Sequence, residues 1–247
     1  MSVPGRLPDA PVTALVVIPA LNEEGKIGRV VQKVSREPVK TVLVVDDGSR
    51  DATAREAREA GATVISHPVN RGVGAAIRTG IDFALENGYE IVIVVSGDDQ
   101  HEPAEIPRVL SALADPAVHL AQGSRWLPGG RTEEMPVMRV LLVRIYSWLL
   151  RRLSGFPYTD GTNGFRAFKV SLLHDGRIDL RQPWLDTYEL EPYLLFKAAT
   201  CGFGVREVPV TIRYANGDPA QWTKMKPFRD WWRIARPLVF LALGLRK

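Results

Sequence analysis

The chain has 247 residues, of which 45% are hydrophobic and 24% charged, and a formal net charge of +4. This is a globular composition with room for one large domain. The single cysteine, Cys201, excludes an intramolecular disulfide framework and a thiol-held metal cluster, so a reducing, cytoplasmic setting is expected.

Residues 1–12 carry Pro4, Pro8 and Pro11 without an apolar core and read as a flexible arm, neither a signal peptide nor a spanning segment. Ala14 to Ile18, Val42 to Val45 and Ile91 to Val95 are short apolar runs rich in β-branched residues, the pattern of strands covered on both faces. Between them lie helical patterns over Glu23 to Val34, Asp51 to Ala60 and Gly74 to Leu85. Such alternation predicts βαβ units around a mostly parallel sheet with helices on both faces. Val64-Ile65 and Val118 to Ala121 add strands. A helix over Met138 to Leu153, a turn-rich loop from Gly155 to Gly164, a helix from about Thr187 to Ala199 and a strand over Val205 to Arg213 follow. Residues 13–221 thus form one α/β domain, and 222–247 a separate segment. The longest apolar stretches, Val140 to Leu150 and Leu238 to Leu245, fall short of the ~20 residues a spanning helix requires.

Three strand ends carry polar groups. Pro19-Ala20-Leu21-Asn22-Glu23-Glu24 closes the first strand with Asn22 in a capping position, Asp46-Asp47-Gly48-Ser49 follows the second, and Ser96-Gly97-Asp98-Asp99-Gln100-His101-Glu102-Pro103 follows the strand ending at Val95. Helix capping explains each one alone; the three together, at one sheet edge, favour a shared pocket for a phosphorylated ligand and a divalent cation. Asn70-Arg71-Gly72-Val73-Gly74 is not a dinucleotide fingerprint, because Ile77 stands at the third glycine and Ser66 to Arg71 separate it from its strand. Its glycines either admit a ligand to the backbone or end a loop, with a helix N-terminus available to phosphate.

In this order, Val17-Ile18-Pro19-Ala20-Leu21-Asn22-Glu23, Val45 to Asp51, Asn70 to Gly74 and Gly97 to Pro103 resemble family 2 glycosyltransferases of the GT-A fold. Gly123-Ser124-Arg125-Trp126 and Asp160-Gly161-Thr162-Asn163-Gly164-Phe165-Arg166 are similar to the branch that transfers mannose to dolichyl or polyprenyl phosphate. The resemblance spans about residues 14 to 213. It implies a Rossmann-like sheet and donor contacts from Pro19, Ala20, Asn22, Glu23, Asp46, Asp47, Gly72, Asp98, Asp99 and Gln100. It also implies Mg²⁺ or Mn²⁺ at Asp98 and Gln100, an acceptor phosphate on Arg125 and Arg139, and a donor diphosphate clasped by Arg213 and Lys224. Direct attack with inversion is the outcome the family implies. One departure stands out: Ser96 occupies a metal position where the family carries an acid, which weakens cation binding unless Asp99 compensates or basic residues take the metal's part.

A phosphomonoester acceptor is largely dianionic at neutral pH and needs no base, whereas a hydroxyl acceptor must lose a proton, for which Asp160 is the candidate. From Trp222 onward Lys224, Lys226, Arg229, Arg233, Arg236, Arg246 and Lys247 face only Asp230. Arg229, Arg233 and Arg236 recur at helical spacing opposite Trp231, Ile234, Leu238 and Leu241, as in a helix lying on an anionic membrane surface; packing on its own domain or on a second copy is the alternative. The leading expectation is therefore a peripheral enzyme on the cytosolic membrane face, moving mannose or glucose from a nucleotide-diphosphate sugar to a polyprenyl phosphate. A soluble transferase acting on a hydroxyl and a noncatalytic nucleotide-binding regulator are the alternatives, and a homo-oligomer stays open. Nucleic-acid binding rests on charge alone and is not expected.

Overall fold

A computed structural model describes residues 13–34, 39, 41–133, 135–214 and 228–246. The arm at 1–12 and Lys224 lie outside the described residues. Strands β1 (Ala14–Ala20), β2 (Thr41–Asp46), β3 (Thr63–Ser66) and β4 (Ile91–Val94) pair in parallel. With β5 (Val118–Ser124), β7 (Arg166–Lys169) and β8 (Gly204–Pro209) they form a seven-stranded sheet in the order β3-β2-β1-β4-β7-β5-β8. β7 runs antiparallel to β4 and β5, while β8 returns parallel to β5.

The continuous apolar runs are explained by a core on each face. Successive strand side chains alternate in direction, so Leu15 and Val17 enter one apolar cluster and Val16 and Ile18 the other. On the first face pack α3 (Val73–Glu86), α5 (Val137–Ser154) and α6 (Leu190–Thr200); on the second pack α1 (Ile27–Lys33), α2 (Thr53–Glu59) and α4 (Ile106–Ala112). Helix α3 lies unusually close to β1. A Cβ at Gly80 would meet Val17 Cγ1 at 2.3 Å, which is why a residue of poor helix propensity sits mid-helix there.

Three expectations are corrected. Helix α1 begins at Ile27 rather than Glu23, so its N-cap position falls to Lys26 and not to Asn22, which has φ 52°. The single strand expected over Val205 to Arg213 breaks at Val210 into β8 and β9 (Thr211–Arg213), and β9 pairs with β6 (Arg131–Glu133) in a small second sheet. The C-terminal segment is not detached: α7 (Arg229–Ala242) packs against α5 and α6, with Leu238 buried in the first core cluster.

Candidate active site

The loops after β1 and β2 are stitched to each other. Asn22 N–H donates to Ser49 Oγ (2.9 Å), Arg50 N–H to Asn22 Oδ1 (2.9 Å), and Glu23 N–H to Thr53 Oγ1 (2.7 Å). Asn22 therefore fixes one loop against the other and lines neither cavity described below. Asp46 accepts from Ser49 N–H (3.0 Å) and shapes its own turn, also outside the cavities. Asp47 is buried and accepts from Arg71 N–H (2.9 Å), Gly72 N–H (2.7 Å) and the His67 ring (2.7 Å), pinning the loop that leads into α3. The glycines of that loop serve a protein contact. A Cβ at Gly72, which has φ 105°, would meet Asp186 O at 2.4 Å, and one at Gly74 would meet Leu185 O at 2.1 Å.

Two adjoining cavities open at this edge. The larger, of about 520 Å³, is lined by Pro19, Ala20, Glu23, Lys26, Asp47, Gly72, Ser96, Asp98 and Gln100, and by Arg229, Asp230 and Arg233 of α7. The smaller, of about 210 Å³, is lined by His101, Arg125, Thr162, Glu191, Tyr214, Trp231 and Ile234, with Val73, Ile77 and Val143. Pro19, Val73, Ser96, Gln100, Arg139 and Tyr188 border both. Most of the expected donor residues thus meet, and Arg125 and Arg139 meet beside them.

Loss of solvent raises the Asp98 carboxyl above the usual carboxylate range, against hydrogen bonds from the Ser96 side chain and Gln100 N–H; nearby Glu23 adds to the rise and Lys26 opposes it. Asp99 does not compensate for Ser96. At φ 64° it turns its carboxylate to Lys33 Nζ (2.7 Å) and Arg29 Nε (3.2 Å) on the α1 side. Among the described residues no three His, Cys, Asp or Glu side chains gather to hold a metal. The three expected metal positions bring to the cavity the Asp98 carboxylate, the Gln100 amide and the Ser96 hydroxyl, which is already bonded to that carboxylate. This donor set fits a hard cation that brings most of its oxygen ligands with it, as a metal–diphosphate complex does, and not one held by protein alone.

Arg125, at the end of β5, is gripped by Asp160 through Nε–Oδ2 (2.6 Å), Nη2–Oδ1 (2.7 Å) and its own N–H to Oδ2 (3.1 Å). Burial disfavours the guanidinium charge, but the Asp160 carboxylate more than offsets this and holds the Arg125 pKa above its ordinary value. Asp160 is fully buried and lines neither cavity, so it faces Arg125 rather than a substrate. Tyr214, which sequence reasoning missed, joins the two arginines: its hydroxyl accepts from Arg125 Nη1 (2.9 Å) and its ring carries the Arg139 guanidinium at 5.0 Å. His101 accepts from Ser96 N–H at Nδ1 (3.0 Å) and stacks on Phe165 at 5.4 Å. Burial, with Arg125 and Arg166 adding, pushes its pKa down to about 3. Arg213 sits apart, paired with Glu102 and with Glu133 (3.5 Å).

The model of the family described as Glycosyl transferase family 2 matches residues 15–177. The chain belongs to glycosyl transferase family 2. It is 35% identical to polyprenol monophosphomannose synthase of Mycolicibacterium smegmatis over 80% of this chain and 76% of that protein. It is 32% identical to undecaprenyl-phosphate mannosyltransferase of Micrococcus luteus over 80% and 82%. It is 29% identical to dolichyl-phosphate hexose transferase of Haloferax volcanii over 94% of each chain. Among solved structures, glucosyl-3-phosphoglycerate synthase from Mycobacterium tuberculosis with Mn²⁺, UDP-glucose and phosphoglyceric acid superposes with TM-score 0.71 at 21% identity, covering 96% of this chain and 81% of that one. The fold is thus that of the GT-A glycosyltransferases, and this family 2 chain is a glycosyltransferase.

Within this glycosyltransferase, α7 departs from its expected role. Ile234, Leu238 and Leu241 pack inward on the core, and the arginines expected to face lipid turn to buried acids. Arg236 pairs with Glu189 (2.5 Å), and Asp230 pairs with Arg229 (3.0 Å) and Arg233 (3.3 Å), both acids being almost fully buried. Its sequence signal, arginines every three or four residues beside one aspartate, does not distinguish headgroup contacts from buried ion pairs. The outward apolar face belongs chiefly to the adjacent α5, where Val137, Met138, Leu141, Ile145 and Trp148 are exposed; Trp232 of α7 and Leu243, just beyond its end, are exposed as well. No helix among the described residues is long and apolar enough to cross a membrane.

Proposed function

We propose that this glycosyltransferase moves a hexose, mannose or glucose, from a nucleotide-diphosphate sugar to a polyprenyl phosphate, with inversion. The single observation that carries the reading is the state of Asp160. Both its oxygens are committed to Arg125, and Glu191, the one carboxylate among the described residues that border the smaller cavity, is ion-paired with buried Arg166 (3.1 Å). That cavity offers arginines and no uncommitted base among the described residues. It suits an acceptor that arrives already ionised, a phosphomonoester, better than a hydroxyl.

In this reading the donor diphosphate lies in the larger cavity and the acceptor phosphate lies against Arg125 and Arg139, held by charge-assisted hydrogen bonds. An acceptor phosphate oxygen attacks the anomeric carbon, the carbon–oxygen bond to the diphosphate breaks, and the nucleoside diphosphate leaves with the electron pair. Negative charge grows on the leaving group, where Lys26, Arg229 and Arg233 border the cavity. Asp98 and Gln100 would hold Mg²⁺ or Mn²⁺, which when bound neutralises diphosphate charge. Arg213 takes no part, and Asp160 serves as the brace for Arg125.

The exposed α5 face, with Arg144 beside it, and the exposed Trp232 and Leu243 support a seat on the cytosolic membrane surface, where a lipid acceptor would reside. A transfer assay pairing GDP- and UDP-sugars with farnesyl phosphate, with and without Mn²⁺, tests the reaction. Product with the lipid phosphate, lost in Arg125→Ala and Arg139→Ala, is expected; undiminished turnover in both variants refutes the assignment. Nucleotide binding without turnover across the donor panel would instead support a noncatalytic regulator. Flotation with anionic vesicles, abolished in a Leu141→Glu/Trp148→Glu variant, tests the membrane face, and a concentration-dependent dimer without flotation would assign that face to a second copy.

A further inference from the structure

His101 holds a position that neither the donor site nor the arginine pair accounts for. It stands at the end of the 96–101 loop, where Ser96 N–H donates to its Nδ1 at 3.0 Å. An imidazole nitrogen that accepts a hydrogen bond carries no proton, so the ring proton resides on Nε2. The ring cannot readily rotate away from this arrangement. It stacks on Phe165 at 5.4 Å with an interplanar angle of 20°, and its backbone is bridged to Ile212. Its Nε2 has no hydrogen-bond acceptor among the described residues, and the side chain borders the smaller cavity together with Arg125 and Arg139. Gly164 lies alongside: a Cβ there would stand 3.4 Å from the imidazole Cε1 and 3.9 Å from Nε2.

We infer that His101 is a neutral hydrogen-bond donor of fixed tautomer, which presents Nε2–H to an anionic oxygen of the acceptor while its Nδ1 holds the Ser96 loop of the donor site. The inference rests on the reading of the smaller cavity as an acceptor-phosphate site. It gives that site a third donor beside the two arginines, one that adds direction without adding charge. It also ties the donor loop to the acceptor through a single ring, because the acceptor's hydrogen bond and the Ser96 N–H bond lie at its two nitrogens.

Two substitutions separate the two ends of the ring. In His101→Asn the side-chain oxygen can replace Nδ1 as acceptor for Ser96 N–H, but nothing replaces the N–H at Nε2. In His101→Gln the longer amide reaches toward the Nε2 position. Long-range ¹H–¹⁵N NMR of the full-length protein with ¹⁵N-labelled histidine reads the tautomer directly. The expected result is Nε2–H in the free protein and a shift of that proton on addition of farnesyl phosphate. His101→Asn is expected to raise the KM for farnesyl phosphate about tenfold or more, the size of one hydrogen bond to a charged group, with nucleotide affinity unchanged; His101→Gln recovers part of this. An Nδ1–H tautomer, a ring signal unmoved by bound farnesyl phosphate, or a wild-type acceptor KM in His101→Asn overturns the inference. The NMR signal reports binding without turnover. Absence of transfer with every donor therefore refutes the proposed reaction, whereas an unmoved ring in an enzyme that does transfer refutes the role of His101.

Discussion

Asp160→Asn separates a brace from a base. The substitution keeps the shape of the side chain but removes its charge and turns an amide N–H₂ toward the donors of Arg125. The Arg125 and Asp160 side chains are 4% and 0% exposed, so the guanidinium would be left in place with little water to solvate it. Losing one partner of such a pair costs about 3–5 kcal/mol, because the cost is that of an uncompensated buried charge. For a chain of this size, each kcal/mol lowers Tm by about 2–4 °C, which puts the expected drop near 10 °C. Thermal unfolding by circular dichroism measures it, and the KM for farnesyl phosphate should rise in parallel as Arg125 loses its orientation. A paired variant, Arg125→Met/Asp160→Asn, should regain much of the lost stability while staying inactive on lipid phosphate. If Asp160→Asn melts with the wild type and loses only kcat, Asp160 is a catalytic base and the reasoning fails.

Three further outcomes are expected. Gly74→Ala forces a methyl into Leu185 O and should cost about 1–3 kcal/mol, seen as a Tm lower by several degrees and as weaker nucleotide binding in calorimetry, since the displaced segment leads into Thr187 and Tyr188, which line the larger cavity. Arg213→Ala should leave the donor KM within about twofold of wild type, as expected for a surface ion pair, whereas Arg139→Ala should reduce kcat/KM for lipid phosphate by a factor of about 100. Burial raises the Glu207 carboxyl above its ordinary value despite the N–H groups of Asp160 and Thr159 that it accepts. A raised folded pKa means that the folded state keeps the proton to higher pH. The contribution is therefore fully present below pH 4.5 and lost as pH rises through the folded value. Urea unfolding across pH 4 to 8 should show this fall in wild type and not in Glu207→Gln; a difference between the two that is constant with pH would contradict it.

Much of the sheet was legible because its strands are covered on both faces. Leu15, Val16 and Val17 are all apolar, which only a strand between two helical layers requires. β7 was not, because Arg166-Ala-Phe-Lys169 has no apolar run and exists as a strand only between β4 and β5; its arginine is buried by virtue of Glu191 and Asn163, contacts distant in sequence or supplied by a turn. Much of the lining of the larger cavity was readable from strand ends, since polar residues after a covered strand have few other places to go. Asn22, Asp46 and Asp99 show the limit of that rule: Asp46 ends a strand and the other two follow one, yet each side chain bonds neighbouring protein. Tyr214 and the α7 lining were invisible because nothing in their spacing distinguishes a cavity wall from an ordinary core face. Arg213, carried by family resemblance to the donor diphosphate, is paired in the structure with Glu102 and Glu133.

Helix α7 contributes Trp231 and Ile234 to one chamber and Arg229 and Arg233 to the other, while Trp232 looks outward. A rod so placed cannot be tilted or lifted without altering the volume it encloses. In the reading proposed above, a surface docked against the outer side of α7 would therefore act on the volume left for the reaction, and would link footing to turnover.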